Sequence, residues 1–454
     1  MALKILIKGA GDLATGVAAE LKEQGHQIIM TEIAIPLTVR RQVACSRAVY
    51  EKEAVIEQHK AVLAADAKEA EAILQEGNIA VLVDPEAEIG KSMHPDVIVD
   101  AIMAKKNLGT TKEDANCVIA LGPGFTAGQD CHAVIETKRG ETLGEPIYQG
   151  SAIPNTGVPG MIGGYAIERL IKAAGRGRMH AVAQIGDIVK KGDLLAVTGG
   201  EPVYAAIDGI VRGMLQEEVE VEPGMKIGDV DPRIDPALVH QISDKARKIG
   251  RGVAKAIRTL CFAPYGMVFL AAGKSSRYGS AEENKLLAQK DGIPMYRCLL
   301  DQMQAYPMCS RVVVSGIPEI LEYAKQHGML AVENLEPEKG ISLSLKKGLS
   351  ACEKAAEQLQ GVLFAVCDQP NLKAETIERI LELAVQNPGH IICAGTKNQS
   401  GNPVLLDQCF FQELQELTGD VGGRQVIKKY PDRVILCETK EAELIDIDEK
   451  GMEW

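Results

Sequence analysis

Twice in this chain a short apolar run breaks into a turn of small residues: KILIKGAGDLATG near the start, and MVFLAAGKSSRYG from residue 267. A strand that passes through such a turn into a helix leaves backbone N–H groups available at the carboxyl edge of a sheet. Two such passages predict two α/β domains, each with a ligand site at its strand ends. The chain of 454 residues is long enough, since about 150 residues per domain suggests roughly three domains.

After the first turn, HQIIMTEI, IAVLVDPE and DVIVDAIMAKKN alternate with amphipathic stretches such as AKEAEAILQEG. This is the spacing of βαβ units, so residues 1–112 are expected to form a Rossmann-like domain on a parallel sheet. From Cys117 the texture changes to short strands punctuated by glycine, in VIALGPGFTAG, HAVIETKRG and PNTGVPG. IGDIVKKGDLLAV and VEVEPGMKIGDVD then form a weak internal repeat. Residues 113–260 are therefore expected to be a β-rich, barrel-like domain, closed by the amphipathic helix ISDKARKIGRGVAKAIRTL. The pattern resembles the flattened barrel of biotinyl and lipoyl carriers. Such a carrier presents a lysine on the hairpin between its halves, where this sequence has Ala206, Ile207, Asp208 and Gly209. Residues 263–454 form the third domain, opening on a new buried strand.

Lys plus Arg number 50 and Asp plus Glu 62, for a net charge of −12. No stretch gathers enough basic residues for a nucleic-acid stripe. No apolar run approaches the ~20 residues of a membrane span. Eleven cysteines, dispersed and without a C-x-x-C pair, fit a reducing cytosol better than a disulfide framework. The expectation is a soluble, unprocessed, cytoplasmic protein that handles small molecules, with no nucleic-acid or membrane partner.

The third domain carries the plainest chemistry. In MVFLAAGKSSRYGSAEENK, the small residues Ala271, Ala272, Gly273, Ser275 and Ser276 let backbone N–H donors approach a triphosphate, and Arg277 and Lys285 supply cations for a leaving pyrophosphate. GVLFAVCDQP ends a strand in Asp368, and LIDIDEK ends another in Asp446 and Asp448. Carboxylates from two distant strands can then meet at the sheet edge, as Mg²⁺ beside a triphosphate requires.

LAAGKSSRYG followed by Lys285, then KGISLSLKKGL, CDQP, SGNPVLL, LTGDVGGR and IDID in that order, resembles the MocA-like molybdenum cofactor cytidylyltransferases, within the Rossmann-like nucleotidyltransferase superfamily. The resemblance implies transfer of CMP from CTP to the terminal phosphate of molybdopterin, with release of pyrophosphate. It implies that Leu270 and the segment from Ala271 to Gly279 wrap the triphosphate, with Arg277 and Lys285 on its charge. Ser342 and Ser344 would lie near the base, and Asp368 with Asp448 would hold Mg²⁺. Gly401, Asn402, Pro403, Asp420 and Arg424 would line the pterin side. Cys367 stands where that family usually has glycine, Tyr278 where it has methionine, and EKGM replaces a Thr-Pro start after Asp448. LAAG rather than LAGG favours CTP over GTP, while the cysteine before Asp368 leans toward GTP.

GAGDLATG in the first domain fits G-x-G-x-x-A through Gly9, Gly11 and Ala14, and Glu32 ends the next strand, where a ribose-binding acid is expected. Asp12 argues against a simple NAD site, because a carboxylate at the helix N-terminus repels an anion. The turn can serve a dinucleotide, another nucleotide or pterin phosphate, or be structural. Asp84 and Asp100, at further strand ends, would form an acidic rim with Glu32, and Lys105 and Asn107 follow. Cys131 and His132 are adjacent in an apparent strand and so face opposite sides. Cys45 would have a lowered pKa only if Arg40 and Arg41 fold beside it.

The order of GAGDLATGVAAEL, EIAIPLTVRRQV, AVYEKEAVIE, VLVDPE, ALGPGFTAG, PNTGVPG and KIGDVDPR resembles the YqeB family of selenium-dependent molybdenum hydroxylase maturation proteins, over about residues 3–257. The resemblance implies a role in preparing or inserting a molybdenum centre, with a hydroxylase apoenzyme as partner, and assigns no catalytic residue. A fusion of two handlers of one labile cofactor is thus expected. Its rivals are a non-catalytic cofactor chaperone and a nucleotidyltransferase acting on another phosphorylated acceptor, such as a sugar phosphate, or using GTP.

Overall fold

The computed structural model describes residues 3–452 apart from 156, 158–159, 263, 274–277, 279–283, 305, 307, 357–358, 397–398, 420–421 and 450–451. The chain divides into two compact units, residues 2–257 and 258–454. The division falls inside the helix Asp244–Phe262, a few residues before the expected start of the last domain.

A nine-stranded sheet organises the first unit, in the order Glu53–Ile56, His59–Ala64, Ile79–Val83, Gln27–Glu32, Lys4–Lys8, Val97–Asp100, Cys117–Leu121, Ala133–Ile135, Pro146–Ile147. The pairing is parallel except at the two outermost strands, each antiparallel to its neighbour. From Lys4–Lys8 the chain passes to one side, where Glu53–Ile56 takes the edge and Ile79–Val83 fills in beside Gln27–Glu32, then crosses to build the other side from Val97–Asp100. That crossing opens a crevice at the carboxyl ends of Lys4–Lys8 and Val97–Asp100.

The expected boundary at residue 112 is corrected here. Cys117–Leu121 pairs in parallel with Val97–Asp100 and is buried along its whole length. A continuous apolar run marks an inner parallel strand covered on both faces, and the glycine-rich loops around it join strands of the same sheet rather than strands of a barrel.

The barrel-like region begins at Leu170. Two antiparallel four-stranded sheets run Leu170–Lys172, Lys226–Asp231, Gly209–Met214, Ile188–Val189 and Glu201–Tyr204, Leu194–Thr198, Gly177–Ala181, Glu220–Val221. Their shared core includes Met179, Leu195, Val211, Leu215 and Ile227. The internal repeat is visible as structure. Val189 and Val221 each end a short strand, and Gly192 and Gly224, both at positive φ, turn the chain into a longer strand of the other sheet.

The second unit holds a seven-stranded sheet, in the order Leu330–Glu333, Ser310–Ser315, Tyr265–Ala271, Gly361–Val366, Gln399–Asp407, Ile391–Thr396, Val434–Glu438. Only Gln399–Asp407 runs antiparallel. The protein is thus mixed α/β, with Rossmann-like parallel sheets at both ends and a β-rich region between them in sequence. Among the described residues, no helix is long and apolar enough to cross a membrane.

Candidate functional site

Tyr265–Ala271 lies between two parallel neighbours, and the chain departs from it to both sides, so its carboxyl end is a second switch point. A cleft of about 420 Å³ opens there, lined by Leu270, Ala272, Gly273, Lys285, Ser344 and Asp368 among others. Ala271 is buried, and its carbonyl accepts the Ser315 hydroxyl at 2.9 Å.

Lys285 starts a single turn of 3₁₀ helix and is largely buried. Its Nζ stands 2.7 Å from Asp368 Oδ2 and 2.9 Å from Asp448 Oδ1. Burial by itself would lower this ammonium, but the two carboxylates outweigh it and hold the pKa above the ordinary lysine value. Asp368 Oδ1 is buried with no hydrogen-bond partner among the described residues. Gln369 Nε2 donates to Asp446 Oδ1 at 2.9 Å, and burial, then the charge of Asp368, pushes the Asp446 carboxyl up. Ile447 N–H donates to the Asp368 carbonyl, which ties the two acidic segments together. Two carboxylates on one cation, with one buried oxygen still unsatisfied, form a hard-oxygen donor set, and these residues fit a divalent metal such as Mg²⁺.

Ser344 accepts a hydrogen bond from Asn334 Nδ2 at 2.9 Å inside the protein, whereas Ser342 donates to the Gly419 carbonyl at 2.7 Å. Only Ser344 of the two lines the cleft. Gly401, Asn402 and Pro403 sit in the antiparallel strand, with a cis peptide bond before Pro403. Arg424 is exposed at the start of the helix Arg424–Lys429. Arg277, Ser275, Ser276, Gly279 and Asp420 lie outside the described residues. Asn334, Ser315 and Gln369 escaped the sequence reading. Asn334 holds the cleft residue Ser344, Ser315 holds the Ala271 carbonyl next to the cleft, and Gln369 holds Asp446; a buried amide or hydroxyl near a strand end was the available signal. Cys367 is buried, and burial pushes its thiol up.

The first unit has a larger cleft, about 1500 Å³, at its own switch point, and Gly9, Gly11, Asp12, Ala14 and Glu32 all line it. Gly9 has φ +95°, and a Cβ there would stand 3.0 Å from the Ala101 carbonyl oxygen. Gly11, the residue before the helix Asp12–Glu23, has an ordinary φ of −72°, so the backbone argument for glycine holds at Gly9 and not at Gly11. Glu32 accepts the Ala10 N–H at 3.0 Å and its neighbour Ile33 N–H at 2.9 Å. Asp12 pairs with Arg40 at 2.9 Å. Lys8 Nζ donates to Thr110 Oγ1 and lies 3.2 Å from Asp114, and Thr110 in turn donates to the buried Asp100 at 2.6 Å.

The expected acidic rim does not form as such. Asp84 accepts the Ile89 N–H, Asp100 is buried on Thr110, and Glu32 alone of the three lines the cleft. Lys105 has a positive φ, and Asn107 holds its own loop through the N–H groups of Gly109 and Thr110. Cys45 is buried beside Thr15, and burial pushes its thiol up to about 11. Cys131 is pushed up to about 12 by burial, while His132 accepts the Val118 N–H through Nδ1. Neither thiol is a nucleophile in this state.

The mostly parallel sheet and its switch point define an α/β domain, and residues 267–434 match the MobA-like NTP transferase domain. The second unit therefore carries a nucleotidyltransferase domain. The N-terminal region is similar to one particular protein, the uncharacterized protein YqeB of Escherichia coli strain K12, at 46% identity over 256 residues. The match covers 56% of this chain and 47% of that protein, so the chain spans about half the length of the curated relative. Among solved structures, a homolog of a Mycobacterium tuberculosis protein from Mycobacterium sp. strain JC1 is 22% identical, covering 41% of this chain and 92% of that one with a TM-score of 0.35. A nucleotidyl transferase from Methanothermobacter thermautotroptrophicus is 21% identical, with the same coverages and a TM-score of 0.35.

Proposed function

We propose that residues 258–454 transfer CMP from CTP to molybdopterin, and that the first unit serves the maturation of a selenium-dependent molybdenum hydroxylase, whose apoenzyme is its partner. The observation that carries the reading is that Lys285 and Asp368 meet on one cleft at the end of Tyr265–Ala271, with Asp448 on the same ammonium. An oxygen of the molybdopterin phosphate attacks the α-phosphorus of CTP in line. The new P–O bond forms as the bond from that phosphorus to the β-phosphate bridging oxygen breaks, and pyrophosphate leaves with the electron pair.

Lys285, held in place beforehand by two carboxylates, presents fixed positive charge to the departing pyrophosphate. Arg277 adds a second cation, and the N–H groups of 271–279 cradle the phosphates. Ser344, oriented by Asn334, stands on the wall assigned to the base, with Ser342 behind it. Asp368 and Asp448 would hold Mg²⁺, which neutralises charge on the phosphates. Gly401, Asn402, Pro403, Asp420 and Arg424 take the pterin side. In the first unit, the cleft at Gly9, Gly11, Asp12, Ala14 and Glu32 receives a nucleotide, dinucleotide or pterin ligand. Joining two handlers of one cofactor raises the local concentration of each product for the other.

A panel of CTP, GTP, ATP and UTP with molybdopterin as acceptor tests the reading by pyrophosphate release. Metal-dependent release with CTP, and much slower release with GTP, is expected. Equal rates with CTP and GTP would sink the base assignment. Release with a sugar phosphate but not with molybdopterin would replace the acceptor, and no release with any pair would leave a binding protein.

A further inference from the structure

The cleft of about 1500 Å³ in the first unit lies where a dinucleotide-binding turn would hold a pyrophosphate, yet the donors and acceptors of that turn are already engaged. Gly9 N–H donates to the Thr31 carbonyl at 2.9 Å, and Ala10 N–H donates to Glu32 at 3.0 Å. The other oxygen of Glu32 accepts the Ile33 N–H, so this carboxylate serves the backbone where a ribose would need it. Asp12 places a second carboxylate at the start of the helix, on the charge a phosphate would seek. Around the cleft, Asp12, Glu32, Glu86, Glu88, Asp96 and Asp114 stand against Lys8, Lys91 and His94, and Lys91 is paired with Glu88. Such a lining opposes a pyrophosphate at the turn and suits a neutral group with N–H donors.

Lys8 supplies one fixed donor. The Thr110 hydroxyl donates to the buried Asp100 at 2.6 Å, which leaves the Thr110 oxygen to accept from Lys8 Nζ at 3.0 Å. Asp114 lies 3.2 Å from the same Nζ. An ammonium has three N–H groups. Among the described residues these partners engage two of them, and the third is left for the cleft that Lys8 lines.

The walls are apolar. Lys8 pairs with Thr31 on one side and Asp100 on the other. Ile33 and Ile102, each two residues further on, therefore stand on either side of the Gly9 turn, leaving strands about 10 Å apart, twice the usual strand spacing. Leu37 and Leu108 also line the cleft, and all four side chains are 36 to 50% exposed. Large apolar side chains gathered in a cleft and open to water mark a ligand surface.

We propose that the ligand of this cleft enters ring first. A flat oxo-heterocycle lies over the Gly9 turn between Ile33 and Ile102, its ring carbonyl accepts from Lys8, and any phosphate points away from the turn into the rest of the cleft. The inference rests on the reading of this cleft as a ligand site and narrows it. A ring carbonyl beside ring N–H groups, as in a pterin or a guanine, is recognised by the ring and not by its phosphates.

Equilibrium dialysis of the full chain against pterin, guanosine, guanosine diphosphate and NAD tests the proposal. Pterin or guanosine should bind without any phosphate, and whichever binds identifies the ring as a pteridine or a purine. Lys8→Met should weaken that binding by about tenfold or more, the effect of losing one charged hydrogen bond. Ile33→Ser and Ile102→Ser, at exposed positions, should each weaken it several-fold and keep the test open if circular dichroism shows Lys8→Met unfolded. Lys285→Met should leave it unchanged; loss there alone would place the ring in the second unit and overturn the proposal. Binding of guanosine diphosphate or NAD that Lys8→Met weakens, with neither pterin nor guanosine bound, would overturn the ring-first orientation while keeping the cleft as a ligand site. Binding of every probe unchanged in all three first-unit variants, or no binding of any probe, would overturn both.

Discussion

Lys285 shows how one side chain acquires a role from its surroundings. An ammonium that bridges two carboxylates at 2.7 and 2.9 Å is already oriented before any phosphate arrives. Lys285→Met and Asp368→Asn should each lower the rate of pyrophosphate release by about 100-fold or more, by comparison with the loss of other preorganised charge-stabilising groups. Turnover near wild type in either variant would place the chemistry elsewhere. Glu382 offers a test of stability instead. Burial, and then the charge of Glu378, pushes its carboxyl up from 4.5 to about 7. Between those values the unfolded chain has released a proton that the folded chain keeps, so stability falls as pH rises from about 4.5 to about 7 and levels off above. Glu382→Gln should therefore melt higher than wild type at pH 8 and match it at pH 4; equal melting at both would show that the folded carboxyl titrates normally.

At the scale of elements, close approach decides more than hydrophobic pattern. A Cβ on Gly16 would stand 2.5 Å from Ala246 Cβ, and one on Gly250 would stand 2.7 Å from the Gly16 carbonyl oxygen. The helix Asp12–Glu23 thus packs on the Asp244–Phe262 helix through bare backbone. Gly16→Val should cost about 1–3 kcal/mol, the usual range for overpacking, read as a lower urea midpoint. An unchanged midpoint would mean that the two helices part without loss. The sequence shows this second helix clearly, since Ala246, Ile249, Val253 and Ile257 recur at helical spacing and are all buried. It does not show what the helix meets, because glycine is silent about which neighbour comes close.

For the whole molecule, separate hydrophobic cores in residues 2–257 and 258–454 predict more than one calorimetric transition. CTP with Mg²⁺ should raise the transition of the second unit through mass action. Lys285→Met should abolish that shift while leaving the other transition in place. A single transition, moved as a whole by CTP, would show that the two cores unfold together.

The parallel sheets, the strand–turn–helix passage at Gly9 and the strand that ends beside Asp368 were legible in the amino-acid sequence because each follows from local periodicity and turn chemistry. The boundary near residue 112 was not, since glycine-rich loops join strands of a parallel sheet as readily as those of a barrel, and only pairing distinguishes them. Asp368 follows the end of the strand Gly361–Val366, as expected from sequence, whereas Asp446 and Asp448 end no strand and lie in the irregular segment after the 3₁₀ turn Glu441–Leu444. That Lys285 bridges Asp368 and Asp448, that Asn334 orients Ser344, and that Asp12 pairs with Arg40 were decided by tertiary structure. Those contacts join segments distant in the chain, and electrostatic partners act through space whatever their separation in sequence.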